Sequence, residues 1–250
     1  MDCASFRFYA DLSYFLPANK KQHTFRYPIY DGNQSVKHLI EAQGIPHTEV
    51  DLILADGKMV GFDHIVKAGQ HISVYPHFSS LKIDQGIHLR PPLPDPIRFL
   101  LDNHLGRLAR YLRLLGFDTL YFNDQLNDEE LANLSHTTQR VLLSRDRGLL
   151  KRSQVVYGYC LRTVDSYEQL KSVISRYKLA ETIEPWKRCL RCNGILEPVN
   201  KQDIIDQLQP KTKIYFNNFQ QCESCGQVYW RGSHTHHLQT FLDRFLIEFT

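Results

Sequence analysis

Up to residue 78 the apolar positions come in short, strand-like runs, with one stretch at helical spacing. "SFRFYADLSYFL" is rich in strand-favouring aromatics, and "HTFRYPIY" predicts a second strand. "SVKHLIEAQGI" predicts one short helix, capped by Ser35, with Val36, Leu39 and Ile40 on one face. In "VDLILADGKMVGF" two strand-like runs flank Asp56-Gly57, a strong tight-turn signal, and "QHISVYP" adds a last strand. Residues 79–96, ending in "RPPLPDP", are proline-dense and read as a stiff linker. From residue 97 the pattern alternates between strand and helix. "IRFLLD", "DTLYFN", "RVLLSRD" and "VVYGYCLRT" predict strands; "NHLGRLARYLRLLGF", "DEELANLSHTT", "RGLLKR" and "SYEQLKSVISRYKL" predict helices. That alternation through residue 183 argues for an α/β layer with a mostly parallel sheet. Residues 184–250 hold a cysteine-bearing module and a closing amphipathic helix, "HHLQTFLDRFLIEF".

The order of elements in residues 1–78 resembles the β-grasp, or ubiquitin-like, fold, and within it the small sulfur-carrier proteins. Sulfur carriers end in a reactive Gly-Gly carboxylate. Here the last strand runs on into Pro76-His77-Phe78, which argues against a carrier role. The segment is expected to bind RNA or a protein partner, or to pack on its neighbour.

Hydrophobic residues make up 42% of the chain, enough for a core, and the net charge is +3. The first 80 residues hold 7 basic against 8 acidic side chains and the remainder 23 against 19, so the basic excess lies downstream. No basic-then-apolar leader opens the chain and no apolar run approaches the ~20 residues of a membrane helix. A cytoplasmic protein without disulfides is the expectation. Of the six cysteines, Cys3 and Cys160 are isolated and the rest form two C-x-x-C pairs.

In open parallel sheets ligands collect beyond the carboxyl ends of the strands. Asp102 ends the first strand of the α/β segment and Asp146 the third. Asp128 opens the helix after the second strand, with Glu129 beside it and Asp124 at the strand's end. Such carboxylates suit Mg²⁺ or Mn²⁺, which prefer hard oxygen ligands and act on phosphodiesters. Each also precedes a helix, where aspartate is a favoured N-cap, so cap and ligand both stay open. On the following helix Leu105, Leu108, Ala109, Leu112 and Leu115 share the core face. Arg107 and Arg110 lie opposite, with Arg113 on the flank, as a phosphate-holding stripe or a solvated face. Arg145 and Arg147 bracket Asp146 and are candidates for anion contact.

Cys189-Leu-Arg-Cys192-Asn-Gly and Cys222-Glu-Ser-Cys225-Gly have the form of two metal knuckles, each with a glycine to allow the turn. Together they predict a closed four-sulfur structural zinc site, with redox dithiols as the alternative. The long insert between the pairs is expected to loop out.

With the cysteine module and "YWRGSH", the stretch "IRFLLDNHLGRLARYLRLLGFDTLYFND…DEEL…RVLLSRDRGLL" resembles the Mut7-C RNase domain, a PIN-like nuclease fold. The first segment resembles the ubiquitin-like domain that precedes it in that family. The resemblance implies an acidic cluster holding Mg²⁺ or Mn²⁺ that cleaves RNA, and places Asp102, Asp128 and Asp146 in it. Ser144 stands where the family more usually has Thr, keeping a hydroxyl. The fourth acid of PIN-like nucleases has a candidate in Asp165, which also reads as a helix cap. The resemblance marks Gly232-Ser233-His234 as a family feature, so His234 can reach a phosphate or the acids; His236 and His237 read as a surface run. The expected activity is RNA hydrolysis, on tRNA or another structured RNA. The alternative is a non-catalytic RNA- or ribosome-binding protein that keeps the fold.

Overall fold

A computed structural model describes residues 2–30, 33–77, 89–230 and 232–249, with the side chains of residues 233–235 outside the description. Strand β1 (Cys3–Phe8) pairs antiparallel with β2 (Phe25–Pro28). Helix α1 (Val36–Ala42) follows, its first turn closed by the Ser35 hydroxyl, which accepts from the His38 amide at 3.2 Å. β3 (Val50–Ala55) and β4 (Lys58–Met59) form the hairpin expected at Asp56-Gly57. β5 (His71–Pro76) enters between β1, to which it is parallel, and β3, giving the order β2-β1-β5-β3-β4. This is a β-grasp sheet. Ala4, Phe6 and Phe8 on β1 and Ile72 and Val74 on β5 are buried, the period-two pattern of a sheet with one face covered. The strand expected across "SFRFYADLSYFL" stops at Phe8, and Ala10–Phe15 form a 3-10 turn instead. Leu12 and Phe15, three residues apart, stack on one side of that turn and are buried together.

Downstream the elements are β6 (Phe99–Leu101), α2 (Gly106–Leu114), β7 (Thr119–Leu120), α3 (Asp128–Thr137), β8 (Val141–Ser144), α4 (Arg147–Leu150), β9 (Gly158–Cys160) and α5 (Ser166–Tyr177). β6 and β7 run parallel, as do β8 and β9, and β6, β8 and β9 are buried along their whole length. β10 (Leu196–Val199), α6 (Pro210–Tyr215), β11 (Phe219–Cys222), β12 (Val228–Trp230) and α7 (Ser233–Ile247) complete the chain. β10, β11 and β12 form an antiparallel ribbon. The insert between the cysteine pairs does not simply loop out. It supplies β10, a 3-10 helix at Lys201–Gln207, α6 and β11. Ile204 and Leu208 fall on one side of it and bury against Phe219 and Val228, a small core of its own.

The chain divides into two compact units, residues 1–96 with 125–160, and residues 97–124 with 161–250. In the first unit α1 and the 3-10 turn at His47–Glu49 pack on the segment from α3 to β9. Buried His47 joins Glu41 (2.8 Å) to the Val155 carbonyl (3.0 Å), and buried Glu49 accepts the Cys160 amide at 2.6 Å. Lys151 donates to the Glu41 carbonyl and Tyr157 to that of Pro92. In the second unit α2 packs on α5, and Tyr111 stacks on Phe241 of α7 with ring centroids 4.2 Å apart. No helix among the described residues is long and apolar enough to cross a membrane.

Candidate metal centre and nuclease residues

Cys189 and Cys192 lie in the turn before β10, Cys222 ends β11, and Cys225 sits in the turn to β12. Their ligand atoms all lie within 4.8 Å of one another, with Sγ–Sγ distances of 3.7 Å for Cys189–Cys225 and 3.4 Å for Cys192–Cys222. Four sulfurs at ~2.3 Å from one ion form a tetrahedron with edges of about 3.8 Å. The set fits a metal ion, with sulfurs of the two knuckles in contact across it. In the second knuckle the glycine takes the left-handed turn, Gly226 at φ +69°. In the first, Asn193 takes it (φ +73°), and Gly194 serves by lacking a side chain, since a Cβ there would meet Ser224 and the Cys222 sulfur.

The thiols do not ionise alike. Burial acts to raise Cys189, but the Tyr229 hydroxyl, 3.2 Å from its sulfur, and nearby backbone amides outweigh it and bring the thiol down to about 7. Cys192 is pushed up to about 12 by burial and by the neighbouring sulfurs. Full ionisation of the set therefore calls for a cation among them.

The acids fall in both units. In the second, Asp102 follows β6 and accepts its neighbour's amide, Asn103, at 2.6 Å. The Asn103 side chain in turn accepts the Asp124 amide at 3.0 Å. Burial raises the pKa of the Tyr121 hydroxyl, and the charges of Asp124 and Asp102 add to that. In the first unit Asp128 opens α3 but does not cap it. Asn127 caps, accepting the Glu129 and Glu130 amides, while Glu130 reaches back to the Asn127 amide. Glu129 is exposed in the first turn. Asp146 is the N-cap of α4, accepting the Gly148 amide at 2.6 Å through Oδ1. Its own amide donates to the hydroxyl of buried Ser144 at 2.8 Å. Asp165 caps α5 by accepting the Tyr167 and Glu168 amides. The side chain of His234 lies outside the described residues. Within neither unit do three described carboxylates meet the distance condition that the cysteines meet.

A family model of the Mut7-C RNAse domain matches residues 97–242, more than half of the chain, and one of the Mut7-C ubiquitin domain matches residues 1–82. The chain belongs to the Mut7-C RNAse domain family. The Mut7-C match takes in all the candidate acids and the four cysteines. No curated protein matches the chain. Two crystal structures of small archaeal modifier protein 1 from Haloferax volcanii match at 18% identity and a TM-score of 0.25; they cover 30% and 32% of this chain and 98% and 99% of their own. The β-grasp assignment rests on strand order and the ubiquitin-domain match instead.

Within the Mut7-C domain the basic side chains separate by environment. Arg107 and Arg110 are exposed on α2, with Arg107 donating to the Tyr111 hydroxyl at 2.9 Å. Arg145 is exposed, and Arg147 holds its guanidinium 5.0 Å from the ring centre of Phe15 in the β-grasp sequence. Arg113 departs from the expected surface stripe. It is buried, its Nε donating to the Thr119 carbonyl (2.9 Å) and its Nη1 to those of Leu190 (3.2 Å) and Arg191 (3.0 Å). Burial lowers its pKa, and the cysteines act against that. Asn193 of the first knuckle accepts the Thr119 amide at 2.9 Å and donates to Asp118 at 2.8 Å, and Arg188 lies 3.6 Å from the same carboxylate. Asp118 and Asn193 carry no motif of their own. The signal available for Arg113 was its place four residues after Ala109, beside the apolar face.

Proposed function

We propose that the chain is a metal-dependent ribonuclease that hydrolyses RNA phosphodiester bonds, with tRNA or another structured RNA as substrate. The observation that carries this reading is the Mut7-C RNAse match across residues 97–242, which contains acids at the carboxyl ends of β6 and β8. In this reading Asp102, Asp128 and Asp146 hold Mg²⁺ or Mn²⁺, hard cations suited to carboxylate oxygens. A divalent cation held there supplies charge neutralisation at a phosphodiester and a more acidic water. Because Asn127 makes the cap of α3, the cap does not use the Asp128 carboxylate. Asp146 uses Oδ1 for its cap and retains Oδ2 for a ligand, so cap and ligand are compatible in one residue. Asp124, whose amide is held by the side chain of Asn103 next to Asp102, is a supporting candidate, with Glu129, Asp165 and His234. Arg107, Arg110, Arg145 and Arg147 hold the RNA backbone as charged donors. The four cysteines hold zinc in a closed, structural site. The β-grasp domain, packed on α3 to β9, acts first as part of the nuclease body and offers its outer surface to a protein partner.

The test is incubation of the purified chain with total RNA and Mn²⁺, with EDTA, and as Asp146→Asn, which keeps a capping oxygen but loses the charge. Cleavage should need Mn²⁺ and fall by roughly a hundredfold or more in the variant. Equal cleavage under all three conditions refutes the acid–metal mechanism. Absence of cleavage on every RNA supports a non-catalytic binding protein.

A further inference from the structure

The ribbon carries a feature that neither the acids nor the cysteines use. A cavity of about 990 Å³ opens on its surface, with Trp186, Tyr215, Phe216 and Trp230 in its lining. The rings are held differently. Tyr215, at the end of α6, is 73% exposed, whereas Trp230 packs against Phe219 with ring centroids 6.3 Å apart. Trp186 sits at φ +63°, a left-handed conformation that bulky residues rarely adopt. Two bonds hold it there, from its amide to the Leu114 carbonyl (3.1 Å) and from its indole N–H to Gln239 (3.3 Å). Backbone strain retained at a large aromatic marks a place where the ring's position matters.

The polar lining is equally particular. Asn200, Asn218 and Gln220 contribute side-chain amides, each a donor and an acceptor on one planar group, and among the described residues none has a protein hydrogen-bond partner. Among the described residues Lys201 is the charged residue of the lining, donating to Asn217 at 2.9 Å, and no acid lines the cavity.

We propose that this cleft binds unpaired bases of a single-stranded RNA segment, stacking them on Trp186, Tyr215 and Trp230. Unstacked bases offer π-faces to such rings and hydrogen-bonding edges to side-chain amides, and a lysine in a lining without described acids suits the phosphate. That the occupant is RNA rests on the nuclease reading; the cleft then serves as a substrate-holding site on the ribbon. A proline-rich peptide, which also docks in aromatic grooves, is the competing occupant.

The chain reports on the cleft directly, because both of its tryptophans line it. The experiment titrates the full chain, without added Mg²⁺ or Mn²⁺, with an eight-nucleotide single-stranded RNA, the same RNA as a duplex, and a proline-rich peptide, reading tryptophan fluorescence. Saturable quenching by the single strand, with the duplex much weaker, is expected. Tyr215→Ala should raise Kd about tenfold, as loss of one base-stacking ring does, while Tyr215→Phe retains binding. Unchanged thermal unfolding of Tyr215→Ala would show that the loss is local. Quenching by the peptide but not the RNA, or equal Kd for wild type and Tyr215→Ala, overturns the proposal. The nuclease reading fails separately. Cleavage in Mn²⁺ without quenching sinks the cleft alone, and quenching without cleavage of any RNA sinks the nuclease alone.

Discussion

Arg113→Met removes a guanidinium and keeps most of its apolar stem. The native side chain is 5% exposed and serves three carbonyl oxygens, those of Thr119, Leu190 and Arg191. The last two lie between Cys189 and Cys192, so one side chain ties α2 to the first cysteine knuckle. A buried polar group left without its partner costs about 1–3 kcal/mol. Two of these bonds are buried; the third, at the exposed residue Arg191, is partly so and water can replace it. The gross loss is therefore ~2–6 kcal/mol. Burial disfavours the charged form, as the lowered pKa records, so removing the charge returns part of that loss. A net destabilisation of about 2–4 kcal/mol follows. Arg113→Lys should recover little, because an ammonium on a flexible stem lacks the planar fork. The assay is urea unfolding at fixed metal content, read by circular dichroism, together with the rate at which a chromogenic chelator takes metal from the folded chain. Faster metal release should accompany the lost stability. A change within ~0.5 kcal/mol with unaltered metal release would refute the idea that Arg113 anchors the knuckle.

Three further outcomes are expected. Stripping the metal from the four cysteines with a strong chelator should unfold the ribbon, seen as loss of the cooperative transition and of dispersed NMR signals from residues 187–230; a stable metal-free ribbon would contradict a structural site. Gly116→Ala should destabilise by ~2 kcal/mol or more in thermal unfolding, because φ is +97° and the new Cβ would overlap the Glu184 carbonyl oxygen; a neutral result would mean that this turn readily shifts. The Glu248 carboxyl is held below its ordinary value of 4.5 by the Tyr167 hydroxyl at 2.6 Å and then by Lys171 at 2.9 Å. Its contribution to docking the end of the chain on α5 is present above pH 4.5 and lost as the pH falls below that, through the lowered folded-state value. In NMR pH titrations Glu248→Gln should abolish the acid-side transition seen at Tyr167, and persistence of that transition would exclude the assignment.

Local pattern alone determined much of this protein. Aromatic-rich and apolar runs and one helical stretch predicted the strands and helix of the first segment, and the resemblance carried by their order implied the β-grasp sheet. The C-x-x-C pairs declared the candidate metal centre, because each knuckle is made within a few residues. The acids at the ends of β6 and β8 were legible for the same reason, but whether each capped a helix was not. Asn127 took the cap beside Asp128, whereas Asp146 and Asp165 kept theirs. Tertiary structure decided what depends on partners distant in the chain. Periodicity located the apolar face of α2, yet only the arrival of residues 190–193 turned flanking Arg113 into a buried anchor and gave Asp118 and Asn193 a purpose. The 3-10 turn after β1, the folded insert of the ribbon and the aromatic cleft follow the same rule. A polar or aromatic side chain has no fixed meaning until its surroundings remove it from water or leave it exposed, and those surroundings come from far along the chain.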